Sequence, residues 1–324
     1  MSKDSLGDRQ KMYEGMSATR LIPKMPVVMR LDGKAFHSFT RGLDRPYDER
    51  FHRCMWMTAQ ALCREIQGAQ VAYVQSDEIT ILVTDWATFN TSSWFDNRVQ
   101  KMCSVAASIA SGYFIMAYLG EFEIGPEDMT RVPAFDCRVW NLPRHEVVNS
   151  FIWRQQDATR NSIQMLGQAN FSQRQLHGVS CNEIQDMLMT QKGINWNDCP
   201  IPQKRGVCIV KKADPETGRT SWQVDTEIPI FTQDRAYIEQ YLTEVFWKEV
   251  PKGVVKYPAV VEGYHDAHMR GVAKLEDGQL VPFHSTNFYA GRVTRPPRAG
   301  ESVQIALEDK GEDGIVVHGV WATS

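Results

Sequence analysis

Two short acidic segments carry the chemistry this chain could do. Arg30-Leu31-Asp32-Gly33-Lys34 follows the apolar run Val27-Val28-Met29. Gln75-Ser76-Asp77-Glu78 lies between Val71-Ala72-Tyr73-Val74 and Ile79-Thr80-Ile81-Leu82-Val83. Each puts a carboxylate at the end of a run that reads as a buried strand. An isolated Asp at such a point is ordinarily a turn residue bonded to nearby backbone. Two of them side by side can hold a pair of Mg²⁺ ions, the arrangement that moves nucleotidyl and phosphoryl groups. Gly33, lacking a Cβ, would let the backbone approach a metal or phosphate closely. Glu78 has two readings: a third acidic group of the site, or the first residue of the strand that follows.

The elements that must position these groups follow from the spacing of apolar residues. Val27 to Leu31 reads as a strand. Pro46 to about Gln67 reads as a helix, with Phe51, Met55, Ala59, Leu62 and Ile66 at helical spacing and Gly68 as its stop. Strands at about 69–75 and 79–84 come next, then an Ala- and Ser-rich helix over 96–118 and a strand from Pro133 to Trp140. A helix starts within Asn141–Glu146 and runs to about Leu166. The order strand, helix, strand, strand, helix, strand predicts an α+β fold, a polymerase-like palm on a ferredoxin-like βαββαβ core. Gly206–Lys212 and Ser221–Val224 flank the turn Asp214-Pro215-Glu216-Thr217-Gly218 and read as a hairpin. A helix is expected over 232–249. Beyond Val254, short strand-like segments separated by Gly and Asp turns predict a small all-β unit. The expected division is residues 1–250, with residues 251–324 as a β-barrel-like domain.

The bulk properties restrict the classes. The 324 residues are 43% hydrophobic and 23% charged, enough for a packed core. The net charge of −3 gives no global case for nucleic-acid binding, so any such surface must be a local basic patch. No apolar run reads as long enough to span a membrane, and the polar start Met1–Gln10 has no leader character, so a cytoplasmic protein is expected. Seven cysteines without a Cys-x-x-Cys argue for buried reduced thiols rather than zinc or disulfides.

An ordered set of motifs accompanies the two acidic segments. Arg30-Leu31-Asp32-Gly33-Lys34-x-Phe36-His37-x-Phe39 comes first, then Arg45-Pro46-x-Asp48 and Gln75-Ser76-Asp77-Glu78. Trp94-Phe95 with Arg98 and Lys101 follows, then Phe135-Asp136-x-Arg138-Val139, Trp153-Arg154-Gln155-x-Asp157 with Asn161, and Arg205-Gly206. By this set the chain, from about residue 26 to residue 212, resembles the tRNA-His guanylyltransferase family, which adds nucleotides to RNA 5′ ends in the 3′-to-5′ direction. The resemblance implies that Asp32, Asp77 and the Gly33 carbonyl hold two Mg²⁺, and that Lys34, His37 and Asp48 lie around a nucleotide. It implies phosphate-side contacts from Arg45, Ser76, Arg98, Lys101, Arg138 and Asn161. It also implies GTP and ATP as substrates, tRNA as partner and a homotetramer.

Plainer readings stand beside these. Arg98 and Lys101, three apart, would share a helix face that could simply be solvated. Arg138 lies in an apolar strand, where an unpaired guanidinium is costly and an anion or a carboxylate is required. Arg154 and Asp157 read as a structural ion pair. His37 is a base contact or a core histidine.

Two departures bear on substrate. Thr159 stands where the eukaryotic tRNA-His-specific members carry His, and Cys181-Asn182-Glu183 replaces a Lys-Asn-Glu segment. General repair of 5′-truncated tRNAs is therefore an alternative, as is a palm-type nucleotide cyclase, or a non-catalytic RNA-binding module. The last would use residues 255–322, which resemble an OB-type barrel. Tyr264, Phe283, His284, Phe288 and Tyr289 would form a stacking platform there, with Arg292, Arg295 and Arg298 as local charge, or else the aromatics are core.

Overall fold

The computed structural model describes residues 5–87, 91–213, 219–242, 255–265, 270–284, 298–309 and 315–322. The chain forms two compact units, residues 1–85 with 91–243, and residues 86–90 with 244–324.

The first unit opens with an exposed helix, α1 (Leu6–Met16), capped by the Ser5 side chain. Strand β1 (Val27–Gly33) leads into a single helical turn, α2 (Phe36–Phe39), and then α3 (Glu49–Glu65). Strands β2 (Ala69–Gln75) and β3 (Glu78–Val83) form a hairpin, joined by Ser76-Asp77. Helix α4 (Val99–Phe122), strand β4 (Phe135–Asn141) and helix α5 (Arg144–Asn170) follow. Short helices α6 (Gln173–Leu176), α7 (Cys181–Met187) and α8 (Ile201–Arg205) precede the hairpin β5 (Val207–Ala213) and β6 (Thr220–Asp225), and α9 (Ala236–Glu239) lies beyond. The six strands make one antiparallel sheet in the order β4-β1-β3-β2-β5-β6. The α+β class and the strand–helix alternation expected from the sequence are those observed.

Alternation along the strands divides the work between the sheet's two faces. Val27, Met29 and Leu31 point to one face, together with Ala72, Val74, Ile79, Ile81 and Val83. They are buried there with Met55, Ala59 and Leu62 of α3 and Met102, Ala106, Ala110 and Phe114 of α4. The other face carries the polar residues of β1 and β4. Arg30 is in register with Arg138, and Asp32 with both Asp136 and Glu78. Helix α5 lies on this second face, where its Arg154 meets Glu78.

Several boundaries differ from the sequence reading. Helix α3 starts at Glu49 rather than Pro46, because Asp48 caps it: the carboxylate accepts from the backbone N–H of Arg50 and Phe51. By length and composition α4 is long and apolar enough to cross a membrane, contrary to expectation. One stripe of it packs against the sheet. Between residues 230 and 242 the described residues hold α9 and a 3₁₀ turn, Gln240–Leu242. The rest of the expected helix, residues 243–249, lies outside the described residues. Of the seven free cysteines, Cys54, Cys63 and Cys208 are buried, whereas Cys103, Cys137, Cys181 and Cys199 are half-buried.

The second unit is a five-stranded antiparallel sheet, β7 (Val255–His265), β8 (Arg270–Leu275), β9 (Leu280–His284), β10 (Ser302–Asp309) and β11 (Ile315–Ala322), in the order β11-β10-β7-β8-β9. Its core joins Val261, Ala273, Val281, Phe283, Val303 and Ile305, with Tyr264 packed against it. Phe283 is therefore a core residue, and Tyr264 stacks on it at 6.2 Å. Arg298 is exposed. Phe288, Tyr289, Arg292 and Arg295 lie outside the described residues.

Candidate active site

The end of β1 and the β2–β3 turn are locked together by backbone. The Gly33 N–H donates to the Asp77 carbonyl at 3.0 Å, and the Lys34 N–H to the Ala134 carbonyl at 2.8 Å. Asp32 and Asp77 are thereby adjacent where the ends of central strands meet. Burial and then the nearby Asp32 charge push the Asp77 carboxyl up to about 6. Asp32 is also raised, by burial first and then by Asp136, against the pull of Arg30, Arg138 and Arg154. Carboxylates that disfavour their own charge in this way are relieved by a cation.

Local backbone strain frames the pair. Ser76 has φ +48° and Ala35 has φ +56°, the left-handed region that non-glycine residues enter at a cost. Gly33 has a packing reason beside the one the sequence suggested. A Cβ there would sit 2.5 Å from the Phe36 ring. Phe36 is the hub of an aromatic cluster with Phe39, Phe51, Phe114 and Phe135, at centroid distances of 5.1–6.1 Å. Close packing of α2 onto β1 by itself demands the glycine.

A cavity of about 680 Å³ opens beside the carboxylates, lined among others by Asp32, Gly33, His37, Arg45, Asp48, Ser76 and Asp77. A smaller one of about 50 Å³ adjoins it, lined by Tyr47, Asn161, Trp196 and Gln203. Pro46, His52, Ser76 and Met165 line both. Asn161 thus faces the smaller cavity, not the carboxylates. His37 is exposed, which removes the core-histidine reading.

Other sequence-predicted residues are placed differently. Asp48 lines the larger cavity, but its carboxylate is spent on the α3 cap, on the Asp44 N–H at 3.2 Å and on Arg50 at 2.8 Å. Burial alone would raise it. The hydrogen bonds from Arg50, Asp44 and Phe51 outweigh that and hold it at about 2. Its first role is the α3 cap, on a wall of the larger cavity.

Glu78 is not available as a catalytic group. Both its oxygens accept from Arg154, from Nε and Nη2, at 2.7 Å each, and both side chains are buried. Arg154 also donates to Asp157 at 2.9 Å, so the ion pair expected there exists within a larger one.

Arg138 is 58% exposed with Asp136 at 3.5 Å, so the argument from a buried guanidinium does not hold. The polar face of β4 is open at that point. Arg138 lines a shallow groove with Arg30, Trp140 and Trp153. Arg98 and Lys101 are exposed at the start of α4, lining neither cavity, and the Lys101 ammonium lies 5.1 Å over the Phe95 ring. Lys34 is exposed on the turn after Gly33.

Sequence reasoning missed Tyr47 and His52, whose rings stack at 3.7 Å. It also left Asp136 without a role, although alternation along β4 puts it on the face of Arg138.

Among the described residues, no group of three or more His, Cys, Asp or Glu is disposed to hold a metal. The donor set nonetheless fits Mg²⁺, which keeps most of its shell for water and substrate phosphates and takes only one or two carboxylates from the protein. Asp32, Asp77 and the Gly33 carbonyl offer hard oxygens of that kind.

An antiparallel sheet with helices on its faces and a carboxylate pair at the ends of its central strands, opening onto a cavity of about 680 Å³, defines a nucleotide-handling α+β protein. The comparisons specify it. Residues 7–143 match the family described as tRNAHis guanylyltransferase. A bacterial tRNA(His) guanylyltransferase (Thg1)-like protein, solved in complex with ATP, is 44% identical, covering 74% of this chain and 99% of its own, with a TM-score of 0.69. A structure of such a protein with GTP is 42% identical over the same shares, with a TM-score of 0.65. A probable tRNA(His) guanylyltransferase of Dictyostelium discoideum is 26% identical over 71% of this chain and 91% of its own length. The chain belongs to the tRNA-His guanylyltransferase family.

Proposed function

We propose that this chain is a tRNA 5′-end nucleotidyltransferase that adds GMP to tRNA-His in the 3′-to-5′ direction, with ATP and GTP as substrates and two Mg²⁺ as cofactors. The observation that carries it is the Asp32–Asp77 pair at the mouth of the larger cavity, in a chain 44% identical to an ATP-bound relative. The RNA 5′ monophosphate attacks the α-phosphorus of ATP or GTP, pyrophosphate leaves, and a 5′-to-5′ linked end results. The 3′-hydroxyl of GTP then attacks the RNA 5′ phosphorus and the nucleoside monophosphate leaves; the new end carries the triphosphate of that GTP, and hydrolytic loss of pyrophosphate from it makes GMP the net addition. Mg²⁺, when bound, would acidify the attacking hydroxyl and neutralise triphosphate charge. Asp32, Asp77 and the Gly33 carbonyl would hold it. Arg45 on the cavity wall, with Ser76 beneath, would orient phosphates, so that the protein contributes positioning and charge rather than covalent chemistry.

Repair of 5′-truncated tRNAs in general is the second reading. It is favoured by the two departures from the tRNA-His-specific members, at Thr159 and at Cys181-Asn182-Glu183. The same proposal takes the strand order β4-β1-β3-β2 as a polymerase-type palm and residues 251–324 as a separate OB-like domain, in a cytoplasmic homotetramer.

The test supplies Mg²⁺, ATP and labelled GTP with tRNA-His transcripts either lacking the extra 5′ guanosine or shortened at the 5′ end. Label at the 5′ end is expected, and the preferred transcript separates the two readings. Asp77→Asn should abolish transfer while leaving the circular dichroism spectrum unchanged. Full transfer by a folded Asp77→Asn protein would rule out the metal assignment.

A further inference from the structure

The wall shared by the two cavities contains a histidine that the proposed chemistry does not use. His52 sits in the first turn of α3, its ring parallel to Tyr47 at 3.7 Å and 7°, with Phe51 edge-on at 5.3 Å. Among the described residues, no hydrogen bond reaches the His52 imidazole or the Tyr47 hydroxyl. Burial pulls the His52 ring down to about 3, so it is neutral wherever the carboxylates are charged. Burial likewise raises Tyr47, which stays a protonated phenol. The stack thus holds an uncharged ring in one orientation, with its polar atoms unspent, on the boundary between the cavity of Asp32 and Asp77 and the smaller one.

A neutral imidazole carries one donor and one acceptor nitrogen, and the partner of one nitrogen fixes the role of the other. His52 has no such partner, so its tautomer is free to follow the ligand. At position 6 the two purines differ in the matching sense: adenine offers the N6 amino donor where guanine offers the O6 acceptor. A ring nitrogen that can either accept or donate meets both.

We propose that His52, oriented by Tyr47, contacts position 6 of the purine of the bound nucleotide, and that its unfixed tautomer lets one site take adenine and guanine alike. The inference rests on reading the paired cavities as a nucleotide site. It assigns the base to the wall at His52 and the triphosphate to the side of Asp32 and Asp77.

The experiment measures binding of ATP, GTP and inorganic triphosphate by calorimetry, with Mg²⁺ and without RNA, to the full chain and to His52→Phe. Phenylalanine keeps the ring and the stack and removes the nitrogens. ATP and GTP should both weaken about three- to tenfold, the worth of one neutral hydrogen bond. Inorganic triphosphate, which has no base, should bind unchanged. His52→Gln, whose amide both donates and accepts, should recover most of the lost affinity. Should His52→Phe fail to fold, His52→Gln against His52→Met gives the same contrast.

Undiminished binding of ATP and GTP by His52→Phe overturns the proposal, as does a parallel loss for inorganic triphosphate. A loss confined to one nucleotide overturns the dual reading, and wild-type protein that binds neither overturns the whole. Wild-type protein that shows this binding pattern but transfers nothing to RNA leaves the inference standing and removes the proposed function instead.

Discussion

At the scale of single residues, the site depends on a division of labour among acids that look alike in the sequence. Asp32 and Asp77 both line the larger cavity, whereas Asp48 is committed to a helix end and Glu78 to Arg154. The last pair is buried on both sides, 7% exposed for Arg154 and 6% for Glu78. Removing one member of such a pair strands the other in a low-dielectric site. Arg154→Met should therefore cost about 3–5 kcal/mol in urea unfolding. Glu78→Gln should destabilise less, because the amide oxygen still accepts from the guanidinium, and should retain transfer activity per folded molecule. Loss of activity in a fully folded Glu78→Gln would return Glu78 to the catalytic group.

The sequence made the positions of Asp32 and Asp77 legible because each ends an apolar run and the strand ends meet. It could not separate Glu78 from them. Its partner lies 76 positions away on α5, and only the fold brings the two together. The same holds for Tyr47 and His52, whose stacking depends on how the chain enters α3. Arg138 fails for the opposite reason: alternation gave its face correctly, but not that the face is uncovered there.

At the scale of elements, α3 turns on its cap residue. Asp48 satisfies two backbone donors and ties down Arg50. Asp48→Ala should cost about 0.5–2 kcal/mol at neutral pH, the usual worth of an N-cap. The pH dependence has a defined sign. The carboxyl titrates at about 2 in the folded chain against 3.8 for the free group. Its contribution is thus fully present above about pH 4 and fades as pH falls through 2. The stability difference between wild type and Asp48→Ala should narrow over that window in acid-unfolding curves. A constant difference would mean that the cap acts through shape and not charge. Proline at position 46 marks the approach to this helix in the sequence, but the cap two residues later sets where it begins. Strand limits were easier to read than helix limits because alternation ends sharply where pairing does, as at Gln75 opposite Glu78.

At the scale of the whole molecule, the two units have separate cores. Leu31, Ile81, Phe114 and Val207 belong to one, and Val261, Val281 and Ile305 to the other. Units that share no core residues unfold as separate cooperative blocks. Calorimetry of the full chain should resolve two transitions, and saturating ATP with Mg²⁺ should shift only one of them, since both cavities are lined by residues of the first unit. A single transition that moves as a whole with nucleotide would make the two units one cooperative block. The change of character beyond residue 250 was visible as a shift from helical to alternating patterns. The inclusion of residues 86–90 in the second unit was not, because so short a segment carries no period of its own.

Ala35 and Ser76, the two non-glycine residues held in left-handed backbone beside Asp32 and Asp77, have a consequence for directed evolution. Glycine at either position would relieve up to about 1 kcal/mol of steric cost, so a screen for heat tolerance has reason to select it. The same exchange would loosen the two turns that hold the carboxylates in register. Selection for robustness and selection for turnover would then pull these two positions in opposite directions.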